Sequence, residues 1–166
     1  MTMAVDAELQ RTVERAARLL DGRSFACAES CTAGLLAQAF AAVDGSGDWF
    51  RGGVVAYQRG VKVSLLDVDP DAPLVSRTVA EQMASGLARR MGADVTVATT
   101  GAAGPEPLDG APPGTVVVAL FANDSVTTVE FHYPDADPEE VVERAAIDAI
   151  VALAQRLSDD AEAVRT

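Results

Sequence analysis

Residues 25–43 read FACAESCTAGLLAQAFAAV. Phe25 to Ala28 is an apolar run of strand length, and residues 24–29 are read as a buried β-strand. From Thr32 to Val43 the chain is again largely apolar but of helical length, ending in Asp44-Gly45-Ser46-Gly47, a helix-stop composition. Between the two stand Glu29, Ser30, Cys31 and Thr32, with Gly34 shortly after. A buried strand that feeds a helix is the unit from which α/β layers are built. Polar residues at that junction lie where such folds place their sites.

The flanking sequence extends the same architecture. Val5, Leu9, Val13, Ala16 and Leu20 recur at helical spacing, which predicts an amphipathic helix over 5–21. Residues 52–58 (GGVVAYQ) read as a strand and 60–66 as a short helix. Thr78-x-x-Glu81 has the form of a capping box, opening a helix to about Met91 that Gly92 stops. Residues 93–99 (ADVTVAT) read as a strand leading into a turn at Gly101-Ala102-Ala103-Gly104. Two strands, 114–122 and 125–133, are joined as a hairpin at Asn123-Asp124. Asp137-Pro138-Glu139-Glu140 then supplies an N-cap, a first-turn proline and acids for a last helix to about Leu157. This order predicts an α/β fold, a three-layer α/β/α sandwich with a mixed β-sheet, in one domain over 1–166.

Composition narrows the partners. The formal charge is −12 and the pI about 4.3, so the surface repels a phosphodiester backbone; no Arg/Lys cluster is interleaved with aromatics. Nucleic acid is excluded as a main partner on this ground. The longest apolar run, Val116 to Ala122, is far too short to cross a bilayer, and the first ten residues have no signal-peptide pattern. The expectation is a cytoplasmic protein, without a membrane partner, whose two cysteines, Cys27 and Cys31, stay reduced. Asp67-x-Asp69-x-Asp71 opens like a calcium loop, but Ala72 and Thr78 stand where that loop needs Gly and Glu. No metal and no cofactor is expected; the expected partner is a small molecule, with self-association left open.

Ser30 has two readings from the residues alone. It is a helix N-cap, or a nucleophile whose reacting carbonyl is served by the amides of the helix start at Thr32 to Gly34. A serine nucleophile needs a base. His132, the one histidine, shares a strand face with Thr128 and Glu130 and reads as solvated. Lys62 is the one lysine beside 12 arginines, and it lies in a largely apolar segment five residues after Tyr57. Burial lowers a lysine pKa, as a Ser–Lys dyad requires, whereas arginine cannot give up its proton. Tyr57 is either a rim tyrosine or a phenol relaying a proton between Ser30 and Lys62. Cys31 is the lesser candidate nucleophile. These readings place Ser30 at the mouth of the largest polar pocket, within hydrogen-bond reach of Lys62 or Tyr57.

Three separated blocks carry a resemblance. AESCTAG at 28–34, FRGGVVAYQRGVKVSLL at 50–66 and TGAAGP at 100–105 resemble the CinA C-terminal domain family, which includes nicotinamide-nucleotide amidohydrolases. The resemblance implies hydrolysis of the carboxamide of nicotinamide mononucleotide to nicotinate mononucleotide and ammonia. It implies a Ser–Lys–Tyr constellation at Ser30, Lys62 and Tyr57, and on this reading Thr32, Gly34, Thr100, Gly101 and Gly104 contact the substrate. The chain departs from the family pattern at Ala33, where a glycine is usual, and at Arg59, where the family has Asn. Glu106-Pro107-Leu108-Asp109 replaces a glycine-rich run, and Ala136-Asp137-Pro138 and Val142 stand where the family carries arginines. Cations and mobile glycines are what hold a phosphate. Two alternatives follow: a nucleotide-binding or interaction domain without turnover, and an amidase for a less anionic substrate.

Overall fold

A computed structural model describes residues 3–165. Helix α1 (Met3–Leu20) leads to strand β1 (Phe25–Glu29) and helix α2 (Leu35–Ala41). A 3-10 turn (Ser46–Asp48) precedes β2 (Phe50–Val55), followed by α3 (Arg59–Leu66) and α4 (Arg77–Met91). Then come β3 (Val95–Ala102), β4 (Thr115–Ala122), β5 (Ser125–His132) and α5 (Pro138–Ala163). The side chain of Val5 lies outside those described.

The five strands form one sheet in the order β2-β1-β3-β4-β5. β2, β1 and β3 are parallel, because helices carry the chain between them; β3, β4 and β5 are antiparallel. Alternation along each strand splits the core in two. Phe25 and Cys27 of β1 and Val116, Val118 and Leu120 of β4 pack against α1, α2 and α5. Ala26 and Ala28 of β1 and Val117 and Ala119 of β4 pack with Leu66 of α3 and Val79, Met83 and Leu87 of α4. The predicted three-layer sandwich with a mixed sheet is the observed architecture. No described helix is long and apolar enough to cross a membrane.

Element ends differ where local bonds compete with propensity. α4 is capped by Ser76, whose Oγ accepts from the Val79 amide, not by the Thr78 box. α5 starts as expected, with Asp137 accepting from the Glu140 amide and Pro138 in the first turn, but runs six residues past Leu157. The β4–β5 turn has Asn123 and Asp124 both at positive φ, the requirement of a two-residue hairpin. α2 begins at Leu35 and not at Thr32, since Ala33 (φ 49°) and Gly34 (φ 105°) are both left-handed and break the helix there. β3 continues through Gly101, which was expected to be a turn. A Cβ on Gly101 would sit 2.8 Å from the Thr115 carbonyl oxygen and 3.1 Å from Cys31 Sγ, so that residue is a close-packing point between strands.

Candidate active site

The site lies at the C-terminal ends of β1 and β2, on the side of α3. Successive residues of β1 point to opposite faces, so Glu29 turns toward α2 and Ser30 toward α3. Lys62 and Leu66 are one helical turn apart on α3 and both are buried, Lys62 to 1% exposure. This places the lysine in a core position beneath the β2–α3 junction. Its Nζ lies 2.9 Å from Ser30 Oγ and donates to the carbonyl oxygens of Ala56 (2.7 Å) and Tyr57 (2.8 Å).

An ammonium donates to all three oxygens, and loss of the proton facing Ser30 leaves a neutral amine that keeps both carbonyl contacts. An NH₂ group has two N–H donors and one lone pair. The two carbonyls take the donors, and the lone pair is left facing the Ser30 hydroxyl. Burial pulls the Lys62 pKa down from 10.5 to about 8, with Cys31 opposing and the positive charge of Arg59 assisting. The amine is therefore partly unprotonated near neutral pH.

Glu29, which the sequence reading passed over, organises the other side of the turn. It is fully buried. Oε2 accepts from Thr32 Oγ1 (2.6 Å) and the amides of Gly34 (3.0 Å) and Leu36 (3.1 Å), and Oε1 from the Ala37 amide (2.8 Å). The helix start that was expected to serve a substrate oxyanion is thus occupied by a side chain of the protein itself. Ala33 donates its amide to the Ser30 carbonyl, which also rules out the N-cap reading in which that amide binds the Ser30 hydroxyl. The Thr32 amide is left without a partner among the described residues. The signal for Glu29 was available in principle: an acid closing an otherwise apolar strand, directly before a glycine-bearing turn.

The remaining expected residues separate. Tyr57 contributes its backbone carbonyl to Lys62, while its side chain is 68% exposed. Lys62 meets Ser30 directly, so no phenol stands between them. Thr100 spends its hydroxyl on the Leu74 carbonyl (2.7 Å), Gly101 is held in the β3–β4 ladder, and Gly104 precedes a cis bond to Pro105 at φ 102°. Cys31 is a poor nucleophile, because burial pushes its thiol up to about 12; Cys27 is likewise raised by burial and by Glu29. Both are free thiols. His132 is exposed and pairs with Glu130 at 2.9 Å, on β5. Hollows of about 820 Å³ around Asp21, Arg89 and Asp94 and about 540 Å³ around Trp49, Arg51 and Arg90 lie at the opposite strand ends. The expected opening of Ser30 into the largest polar pocket is corrected accordingly: its hydroxyl sits in a tight turn with 8% of the residue exposed.

Fold and site together define a three-layer α/β/α domain with a buried serine–lysine pair at the ends of its parallel strands. The chain belongs to the CinA C-terminal domain family, whose pattern matches residues 7–157. A CinA-like protein of Mycolicibacterium gilvum is 40% identical over 150 residues, covering 87% of this chain and 36% of that protein. One from Mycobacterium avium is 50% identical over 99 residues, covering 57% of this chain and 23% of the relative. The chain thus spans about a quarter to a third of the length of these curated relatives. Among solved structures, a CinA superfamily protein of Klebsiella pneumoniae superposes with a TM-score of 0.86 at 32% identity, over 91% of this chain and 98% of that one. A competence/damage-inducible protein of Agrobacterium tumefaciens gives 0.81 at 31% identity, over 88% and 95%.

Proposed function

We propose that this chain is an amidohydrolase in which Ser30 is the nucleophile and Lys62 the general base, acting on the carboxamide of nicotinamide mononucleotide. The observation that carries the reading is the 2.9 Å contact between Lys62 Nζ and Ser30 Oγ, with both N–H donors of a neutral amine already committed to carbonyls. Ser30 gives its proton to Lys62 as Oγ attacks the amide carbon. The oxyanion that forms is served by the unpaired Thr32 amide. The lysine ammonium then protonates the amide nitrogen as its bond to carbon breaks, releasing ammonia and leaving an ester on Ser30. Water, deprotonated by Lys62, hydrolyses that ester to the carboxylate and restores the serine. The substrate comes from the family resemblance.

One observation favours a second reading, a less anionic amide. Arg59 is engaged with Asp109 at 2.6 Å, and Arg144 is paired with Glu140 and lies over the Tyr133 ring. Neither cation stands ready for a phosphate. Ammonia release from nicotinamide mononucleotide, nicotinamide riboside and simple carboxamides separates these cases. Turnover of the mononucleotide supports the first reading and turnover of neutral amides alone the second, whereas binding without turnover identifies a non-catalytic domain. Lys62→Arg keeps the charge but cannot act as a base, and should lower turnover by roughly 10²–10⁴-fold. Near-wild-type turnover in Lys62→Arg would remove Lys62 from the mechanism.

A further inference from the structure

Thr99 has no part in the mechanism above, yet it is bonded to both ends of the reacting turn. It is fully buried on β3, as the ladder partner of Glu29. Its carbonyl oxygen accepts from the Ser30 amide at 3.1 Å, and its hydroxyl lies 2.8 Å from that of Thr32. The Thr32 hydroxyl gives its one proton to Glu29 Oε2 at 2.6 Å, so Thr99 is the donor between the two threonines. A row of bonds therefore runs from the Ser30 backbone through Thr99 and the Thr32 hydroxyl to the Glu29 carboxylate. Around it the other amides of the turn are taken. Ala33 donates to the Ser30 carbonyl (3.1 Å), Leu35 to the Thr32 carbonyl (3.0 Å), and Gly34, Leu36 and Ala37 to Glu29. Among the described residues, Thr32 alone of residues 32–37 keeps a free amide.

We propose that Thr99 and Glu29 are positioning residues: acting on the Thr32 hydroxyl, they hold the Thr32 amide where the oxyanion develops as Ser30 attacks. The inference rests on the Ser30–Lys62 reading and adds what keeps its oxyanion donor in place. A backbone donor stabilises a transition state to the extent that it need not reorganise as charge develops. Here the donor is followed by two left-handed residues, Ala33 (φ 49°) and Gly34 (φ 105°), so local backbone preference does not hold the turn. The bonds to the carboxylate do, being charge-assisted and buried. Thr32 is 1% exposed and its hydroxyl is committed to Glu29, so the substrate contact implied for Thr32 falls to its amide. Glu29 is bonded into the α2 layer, whereas Lys62 approaches from the α3 layer. Brace and base thus reach the turn from opposite faces of the sheet, and a change in one leaves the contacts of the other in place.

The test uses pairs of near-isosteric variants, read as ammonia release from the carboxamide that the wild type turns over most readily. Thr99→Val removes the donor to Thr32 and leaves the carbonyl on Ser30; Thr32→Val removes the hydroxyl and leaves the amide. Each should lower kcat by about tenfold or more with KM within about twofold of wild type, the loss expected of a displaced transition-state donor. Thr99→Ser and Thr32→Ser keep the hydroxyl, lose only a methyl group, and should recover most of kcat. Wild-type kcat in either Val variant overturns the proposal. A loss confined to KM also overturns it, because the Thr32 hydroxyl would then be touching substrate. So do Ser variants as slow as their Val counterparts, which would make packing of the methyl groups responsible. Should Thr32→Val fail to fold, Thr99→Val decides alone, since every donor to Glu29 remains. A wild-type protein that releases ammonia from no carboxamide sinks the amidase reading and this proposal together. An active wild type with unaffected Val variants sinks this proposal only and leaves Ser30 and Lys62 in their roles.

Discussion

The buried amine of Lys62 makes stability depend on pH in a direction that can be worked out. Its pKa is about 8 in the folded protein and 10.5 when exposed on unfolding. Between those values the unfolded chain holds a proton that the folded chain has released, so stability must rise with pH across this window. Below about pH 8 both states are protonated, and the full cost of a buried ammonium is borne. The gap corresponds to about 3 kcal/mol, approached as pH nears 10.5. Lys62→Met provides the reference, because it keeps a long side chain and removes the titration. It leaves the Ala56 and Tyr57 carbonyls without a donor, but that penalty does not vary with pH. The buried thiols of Cys27 and Cys31 pull the other way above pH 9 in both proteins, which differ there only through the coupling of Cys31 to Lys62. The assay is urea unfolding of both proteins at intervals from pH 7 to 10.5. The expected result is a wild-type-minus-variant difference that is flat below pH 8 and then climbs. A difference that stays flat throughout would show that Lys62 titrates as an ordinary exposed lysine, and the case for it as a base would go with it.

Three further substitutions test the turn and the strand packed beside it. Glu29→Gln replaces an acceptor of five hydrogen bonds, one of them from the Cys27 thiol, with a group that can accept only at one oxygen, leaving buried donors of the turn and α2 facing an NH₂. The expected loss is about 3 kcal/mol or more by chemical denaturation. Ala33→Gly should stabilise by about 0.5–1 kcal/mol, because the exposed alanine sits at φ 49°; an unchanged or lower midpoint would mean the strain is absent. Gly101→Ala should cost about 1–3 kcal/mol through its contact with the Thr115 carbonyl and Cys31, and a fully stable variant would show that β3 and β4 can move apart there.

The strands and layers were legible in the sequence because their signals are local: an apolar run at 25–28, alternation in β5, a proline and acids opening α5. The contact between Ser30 and Lys62 was also legible, because a single lysine in an arginine-rich chain is conspicuous. What could not be read depends on groups far apart in sequence. The start of α2 is set by Glu29 drawing the Thr32 hydroxyl and the Gly34, Leu36 and Ala37 amides around itself, contacts that override the helix propensity of Ala33. Gly101 has the composition of a turn, but its neighbours are the Thr115 carbonyl on β4 and Cys31. Tyr57 was read as a rim tyrosine or a proton relay; its side chain stands exposed at the rim, and the contact to Lys62 is made by its carbonyl. The Arg59–Asp109 pair spans 50 residues, and nothing local to either residue announces it.

The alternation of β1 makes chain length as restrictive as residue identity. Glu29 and Ser30 are adjacent, yet they serve opposite layers of the molecule. A residue inserted or deleted within 26–29 would send the hydroxyl to the α2 side and the carboxylate toward Lys62, exchanging base and nucleophile for an inert ion pair. Libraries of such length variants should therefore tolerate changes in the segment before Phe25 and none within the strand, even where every side chain is kept.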